Sequence, residues 1–420
     1  MMTQAFYTGI SGLKSNQTAI DVVANNIANI NTVGFKGYSS EFNSLLEQEL
    51  HTPAQTSTTD NTVGLGSTLG ASTMDTKAGS IALSDKVTDL AIAGNGWFGI
   101  QGESEPLYTR AGNFNFDKEG SLVTTNGHYV LGTMGNNIKD GVVSKVLDSV
   151  KLGGVATQTK LSFPSELKYL VVPTTKSQFF GNLGRDDVTR TMSATVIDPK
   201  NNKNQIKLSF TQSKPQVSPG TQWDIVATAR SLDGATIYDT QKAKANFDAS
   251  GSLISSTLKS IDNNGQIVQL DLGNKLSGGV TSATGVSISP SSKSDGKLGG
   301  ELKSYSINAK AEVIATFTNG QQTSVGKIAV FHFRNQQGLE RASGSTFKAS
   351  SNSGSPMFFQ DKNGENHNGA RVLNHRLEGS NVGLSAALTD MIIFQRSYNA
   401  NSKSVSTANE MMQKALQMSK

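Results

Sequence analysis

Six residues in the first third of the chain, Gly94-Asn95-Gly96-Trp97-Phe98-Gly99, carry the spacing GxGxxG. In dinucleotide-binding folds that spacing turns a strand into a helix whose first N–H groups hold a pyrophosphate. The chemistry requires a helix directly after the glycines, and here Trp97 through Gln101 continue as a strand, so the glycines read as turn punctuation. The five histidines, His51, His128, His332, His367 and His375, show neither an i, i+4 pair nor metal-ligand spacing. The least bland group, His367 with Asp361 and Glu365, sits in a Gly/Asn-rich stretch that reads as a solvated loop. Cysteine is absent, which removes disulfides, thiolate ligands and cysteine nucleophiles. No GxxxxGK[ST] loop, HExxH helix or GxSxG elbow occurs. The expectation is a chain with no catalytic, cofactor-binding or metal-binding residues and no cofactor.

The elements around these residues point the same way. With 420 residues and 36% hydrophobic content, the chain can bury more than one core. High glycine (42), low proline (9) and recurrent Ser, Thr and Asn favour turn-rich β structure. The net charge of +5 is spread over scattered Lys and Arg without interleaved aromatics, so no nucleic-acid partner is expected. No apolar run exceeds that of Met391 through Phe394, which excludes insertion into a membrane by a helix. Met1-Met2-Thr3-Gln4 lacks a basic n-region, so the expected routes are residence in the cytoplasm or export that reads no cleaved signal peptide.

Both ends carry a narrow apolar stripe. Near the start Phe6, Ile10, Leu13, Ile20, Ala24 and Ile27 alternate steps of four and three, with Gln17 filling one seam position. Near the end the register is Leu384, Leu388, Met391, Tyr398, Val405, Met412 and Leu416, with Gln395, Ser402 and Asn409 in the remaining places. So narrow a stripe suits a partner helix better than a globular face. The predicted fold class is therefore mainly β and multi-domain, with paired N- and C-terminal α-helices forming a coiled-coil-like stalk. Only Lys14 and Asp21 carry charge among the first thirty residues, so the other faces, rich in amides and hydroxyls, look made for subunit contacts. Isolated helices of this kind are marginal in water, and the ends are expected to order on assembly.

Between the ends, residues 41–80 read as an extended connector, since His51 through Gly79 are mostly Thr, Ser, Gly, Asp and Asn. Asp89 through Ala93, Trp97 through Gln101, Leu107 through Arg110, Phe114 with Phe116, Leu122-Val123 and Tyr129 through Leu131 form a meander. A second β region has strands at Ala194–Ile197, Ile206–Phe210, Trp223–Ala227, Phe247–Leu253 and Ile267–Leu272, bounded by the Gly/Ser-rich run Ser277–Gly300. Ala311–Phe317 and Lys327–Phe333 return to the first unit. The predicted domains are a helical core (1–40 plus 378–420), the connector (41–80), an inner β domain (81–150 plus 301–377) and an inserted outer β domain (151–300).

Three stretches resemble a known family. ANNIANINTVGFK (Ala24–Lys36) with Phe42, LEGSNVGLSAALTDMIIFQRSYNANSKSVSTANEMM (Leu377–Met412), and DLAIAGNGWFGIQ (Asp89–Gln101) followed by Leu107–Gly132 are similar, in this order, to the signatures of flagellar rod and hook proteins. The resemblance covers both ends and the first β unit, and residues 150–300 carry little of it. It implies a hollow helical homopolymer in which the terminal helices line the core and the connector locks neighbours. It also implies an extracellular location in the bacterial flagellum, with export through the flagellar type III apparatus. The partners it implies are the chain itself, rod and hook–filament junction proteins, and the hook cap during assembly.

The roughly 150 residues inserted beyond a rod protein's length favour a hook subunit that transmits motor torque and passes exported subunits through its lumen. The alternatives are a distal rod subunit or a secreted β-rich binding module. Asn25, Asn26, Asn29 and Asn31, and Gln395, Arg396 and Tyr398 of the last helix, are then interface residues together with the two stripes. Gly34 ends the first helix, Phe35 anchors the exit turn and Phe42 starts the connector. Gly383 departs from the family, which usually places an acidic or amide residue there, so Asn381 or Ser380 is expected to cap the last helix. Without cysteine the chain cannot follow the cysteine–lysine cross-linking of some hook proteins.

Overall fold

The computed structural model describes residues 2–45, 47–49, 62–216, 219–274, 278–285 and 289–418. Two long helices stand at the ends, α1 (Met2–Ala28) and α2 (Leu384–Met418). Between them the described residues are strands and turns apart from two single turns of 3-10 helix. Among the described residues no helix is long and apolar enough to cross a membrane.

The stretch read as a connector is extended but paired. Tyr38–Ser44 and Ser67–Met74 form one antiparallel hairpin, continued by Glu47–Glu49 against Thr62–Gly64. Residues 46 and 50–61 of that expectation lie outside the described residues. Alternating Ser and Thr side chains give both strands a polar face, which low hydrophobicity disguises as coil.

The inner β unit is built on an eight-stranded sheet whose centre is Gly300–Ile307, Glu312–Phe317, Gln322–Ile328 and Leu131–Met134. A five-stranded sheet around Trp97–Ile100 and Leu107–Thr109 packs beside it. Phe98, Phe114, Phe163 and Phe317 fill one core, and Trp97, Tyr108, Phe331 and Phe347 a second. The unit reaches past residue 150, because Thr159–Lys160 and Lys168–Tyr169 pair with Leu131–Met134 and Gly300–Ile307. Gly94 and Gly96 have φ of 103° and 137°, a turn that leads into the strand Trp97–Ile100.

The outer unit leaves through a neck at which Val172 and Lys297 exchange both backbone hydrogen bonds. The boundaries expected at 151 and 300 therefore move inward to this neck. Its first sheet runs Arg190–Ile197, Lys203–Gln212, Thr221–Ser231, Ile237–Phe247 and Leu253–Ser256. The strand expected at Phe247–Leu253 is instead the turn between the last two, with Gly251 at φ 85°. Strict alternation turns Ile206, Leu208 and Phe210 inward and Gln205, Lys207 and Ser209 outward. Trp223 closes the sandwich and donates from Nε1 to Ser282 Oγ at 3.1 Å. The Gly/Ser-rich run read as a boundary supplies two strands, Gly278–Thr281 and Ser291–Ser294, to the second sheet.

One inner-unit group gives a pH dependence. His332 is buried, its Nε2 faces the Asn368 carbonyl and its ring meets Phe359 edge-on at 4.5 Å. Burial holds its pKa below 6.5, and the charges of Arg110 and His367 push the same way against the Asn368 hydrogen bond. The unfolded chain thus binds the proton more readily. The stability His332 contributes is complete above 6.5 and is lost as pH falls through the lowered folded value. Urea midpoints measured at about pH 7.5 and about pH 5 should fall with acid in the wild type, and fall less in His332→Gln.

Candidate functional site

The helices run antiparallel and very close. A Cβ added to Gly9 would stand 2.6 Å from Val405 Cγ2, and one on Gly12 would stand 2.6 Å from Asn401 Nδ2. The buried row on α1 is Gly9, Gly12, Ser15, Ala19, Val23 and Asn26. It lies one residue before the large apolar stripe read from the sequence. Small side chains let the backbones approach, so they take the contact, and the larger ones are displaced to its flank. Phe6, Ile10, Leu13, Ile20 and Ile27 are half-buried there, and Ala24 is exposed.

On α2 the spacing of seven from Val405 places Met391, Tyr398 and Met412 toward α1, all half-buried, with Ala387, Phe394, Asn401 and Ala408 completing the seam. The other predicted row points away. Leu384, Leu388 and Leu416 are 48%, 46% and 66% exposed, and Gln395 and Arg396 are exposed as well. Tyr7, Ile392, Ile393 and Met411 add to this outward apolar surface.

The polar face of α1 finds partners within its own chain. Ser15 Oγ donates to Ser67 O at 2.8 Å, and Ser67 N donates to Ser11 Oγ at 3.3 Å. Gly66, at φ 109°, brings the hairpin so near that a Cβ would lie 1.9 Å from Ser11 Oγ. Phe42, also exposed to solvent, meets Phe394 of α2 with ring centroids 5.9 Å apart. The hairpin is thus a strut along the helical pair.

Below the helices the chain ends cross in a buried ionic joint. Glu378, just before α2, is 0% exposed, with Lys36 at 2% and Arg110 at 1%. Its Oε1 accepts from Lys36 Nζ at 2.8 Å and from Gly79 N at 3.0 Å, and its Oε2 accepts from Arg110 Nη1 at 3.2 Å. Lys36 also donates to Lys77 O, and Arg110 to Ile92 O and Gly94 O. Arg110 stands 5.5 Å over the Trp97 ring. Burial lowers the pKa of both cations, opposed by the attraction of Glu378. One carboxylate therefore balances two cations in a dry site, which ties the helix exit, the inner domain and the start of α2 to one point.

Two amides complete the joint. Asn26 holds the backbone of Tyr38 at both ends, donating to its O at 2.6 Å and accepting from its N at 3.0 Å. Asn381 accepts from Gly37 N and donates to Asp75 O and Lys77 O, and Ser380 Oγ accepts from Val382 N, so neither side chain caps α2 as expected. Asn29 donates to Asn25 O and Oδ1 and accepts from Thr32, a local clasp past the end of α1. Gly34 is not the helix cap, since α1 stops at Ala28. At φ 67° it passes beneath the Arg110–Ala111 peptide and donates to Glu378 O at 2.8 Å. Phe35 is buried under the Arg341 guanidinium. Sequence reasoning does not single out Lys36, Arg110 and Glu378 as functional positions, although each falls inside one of the three family-like stretches.

Three family models match the chain. Residues 6–36 match the flagella basal body rod protein, 91–172 the flagellar hook protein FlgE/F/G D1 domain, and 373–418 the C-terminal region of flagellar basal body rod FlgEFG proteins. The chain is similar over nearly its whole length to flagellar hook proteins FlgE. It is 29% identical to that of Brucella suis (96% of each chain). It is 27% identical to that of Borreliella burgdorferi (99% of this chain, all of the relative). It is 25% identical to that of Escherichia coli (97% and 98%). The crystal structure of Helicobacter pylori flagellar hook protein FlgE2 shares the fold at a TM-score of 0.54 and 16% identity, over 71% of this chain and all of that one.

Proposed function

We propose that the chain, which resembles flagellar hook proteins over nearly its whole length, is a structural subunit of the flagellar hook whose copies polymerise into a hollow, bendable tube. The tube carries motor torque from rod to filament and passes exported subunits through its lumen. One observation carries the reading. The two ends zip together through Gly9 against Val405 and Gly12 against Asn401, which leaves Tyr7, Leu384, Leu388, Ile392, Ile393 and Leu416 facing out. A lone molecule has nothing to bury that surface against, whereas copies around a common axis do.

In this reading the helical pair is the coiled-coil-like stalk, and the half-buried flank residues Phe6, Ile10, Leu13 and Ile20 join the outward leucines as subunit contacts. The hairpin strut and the ionic joint hold the stalk to the inner domain. The outer sandwich turns Ser, Thr, Gln and Lys side chains outward, a surface suited to contacts that break and re-form during bending. Rod, junction and cap proteins meet the ends of the tube, and the flagellar type III apparatus exports the chain. The chain is read as non-enzymatic. Among the described residues no three His, Asp or Glu side chains gather where they could hold a metal ion.

Electron microscopy of the purified chain tests this. Wild-type protein at rising concentration should give tubes of one diameter, and a chain lacking residues 2–28 should give none while both β units stay folded. A wild-type chain that remains monomeric at every concentration overturns the reading.

A further inference from the structure

Charges on the helical pair are few and exposed, and apart from Glu410 and Lys414, which stand four residues apart near the far end of α2, they are sorted by height. Among the described residues, Lys14 and Asp21 on α1 and Asp390, Arg396 and Lys403 on α2 make no ion pair or side-chain hydrogen bond. Their spacing explains why. Lys14 and Asp21 are seven residues apart, on the same face but about 10.5 Å distant along the axis, whereas pairing within a helix needs a step of three or four. Asp390 and Arg396, six apart, are equally unable to meet.

The pairing of Gly12 with Asn401 and Gly9 with Val405 sets the levels of the two helices against each other. Asp21 then stands level with Asp390, and Lys14 falls between Arg396 and Lys403. The pair carries an acidic band near its joint and a basic band roughly two to four turns of helix above it. Among the described residues no side chain pairs with either band.

Resting on the polymer reading above, we infer that these bands set the axial register between neighbouring copies, the acidic band of one lying against the basic band of the next. Two different, complementary patches on one chain make a heterologous contact, the kind that propagates into an open helical array. The occupant is a second copy of this chain because that copy brings the complementary band on the same helical faces as the exposed apolar surface. Exposed ion pairs contribute little binding each, so the leucines and isoleucines supply the affinity. The charges exclude mismatched stacking, in which like bands would face each other.

Charge reversal in two separate chains tests this. One chain carries Asp21→Lys with Asp390→Lys, the other Lys14→Asp with Lys403→Asp, all at exposed positions, and circular dichroism should show both folded like wild type. Each alone should need about tenfold more protein than wild type to polymerise, since every stacking contact now sets like charge on like. A one-to-one mixture should polymerise near the wild-type concentration, with both chains in the same tubes. Reversed chains that polymerise alone as readily as wild type overturn the inference, as does a mixture no better than its parts. Wild-type chains that form no tubes instead overturn the polymer reading, and this inference with it.

Discussion

Glu378→Gln is expected to destabilise the inner domain and the helical joint by about 3–5 kcal/mol, because it leaves Lys36 and Arg110 buried with no counter-charge. Glutamine keeps the shape and can still accept from Gly79 N, so little packing is lost. The loss is electrostatic, falling on two desolvated cations beside each other. The two tryptophans make the effect local and readable. Trp97 is buried beside Arg110 in the inner domain, and Trp223 is buried in the outer sandwich beyond the neck. In single-tryptophan chains the unfolding transition seen by Trp97 should move to much lower denaturant, while that seen by Trp223 stays. Adding Lys36→Met should recover part of the loss, since one orphan charge is then gone. Equal shifts at both tryptophans, or none at Trp97, would remove the joint from its assigned role.

The way this joint is assembled explains why sequence reasoning passes over it. Lys36 and Glu378 are 342 positions apart, and a lone Lys or Glu in a polar motif reads as solvated. Only the folded chain shows that one carboxylate serves both ends. The helices themselves are legible, because apolar residues recurring every seven positions fit the turn of a helix and clash with the two-residue alternation of a strand. Their seam on α1 is displaced by one residue because hydrophobic patterning weighs large side chains, while Gly9 and Gly12 make contact by being small. The strand Ile237–Phe247 is hidden for a related reason. Its inward residues include Ala243 and Ala245, alternating with lysines, and Ala/Lys composition favours helix unless a neighbouring strand claims it. The hairpin strut reads as a connector because Ser/Thr strands lack an apolar face, and its partner is the polar side of α1 rather than a core.

Gly34→Ala should be the most damaging change that removes no interaction. Its φ of 67° is a left-handed conformation that costs an alanine about 1–2 kcal/mol. The same penalty applies to Gly127, at φ 82° in an open turn where an added Cβ meets nothing within 4 Å. Gly127→Ala is therefore the control for backbone strain alone. At Gly34 the Cβ would also lie 2.3 Å from Ala111 N and 2.5 Å from the Arg110 carbonyl carbon, backbone atoms that no side-chain rotation can move. The exit turn must then lift away from the inner domain, stretching the 2.8 Å hydrogen bond from Gly34 N to Glu378 O and disturbing the ion pairs on the same glutamate. The expected loss is at least about 3 kcal/mol on the Trp97 transition for Gly34→Ala, against about 1–2 kcal/mol for Gly127→Ala. Because the strain acts where the stalk meets the β domains, Gly34→Ala should also lower the yield of tubes at temperatures where Gly127→Ala assembles normally. Equal effects of the two substitutions would mean that the stalk's attachment does not depend on this close approach.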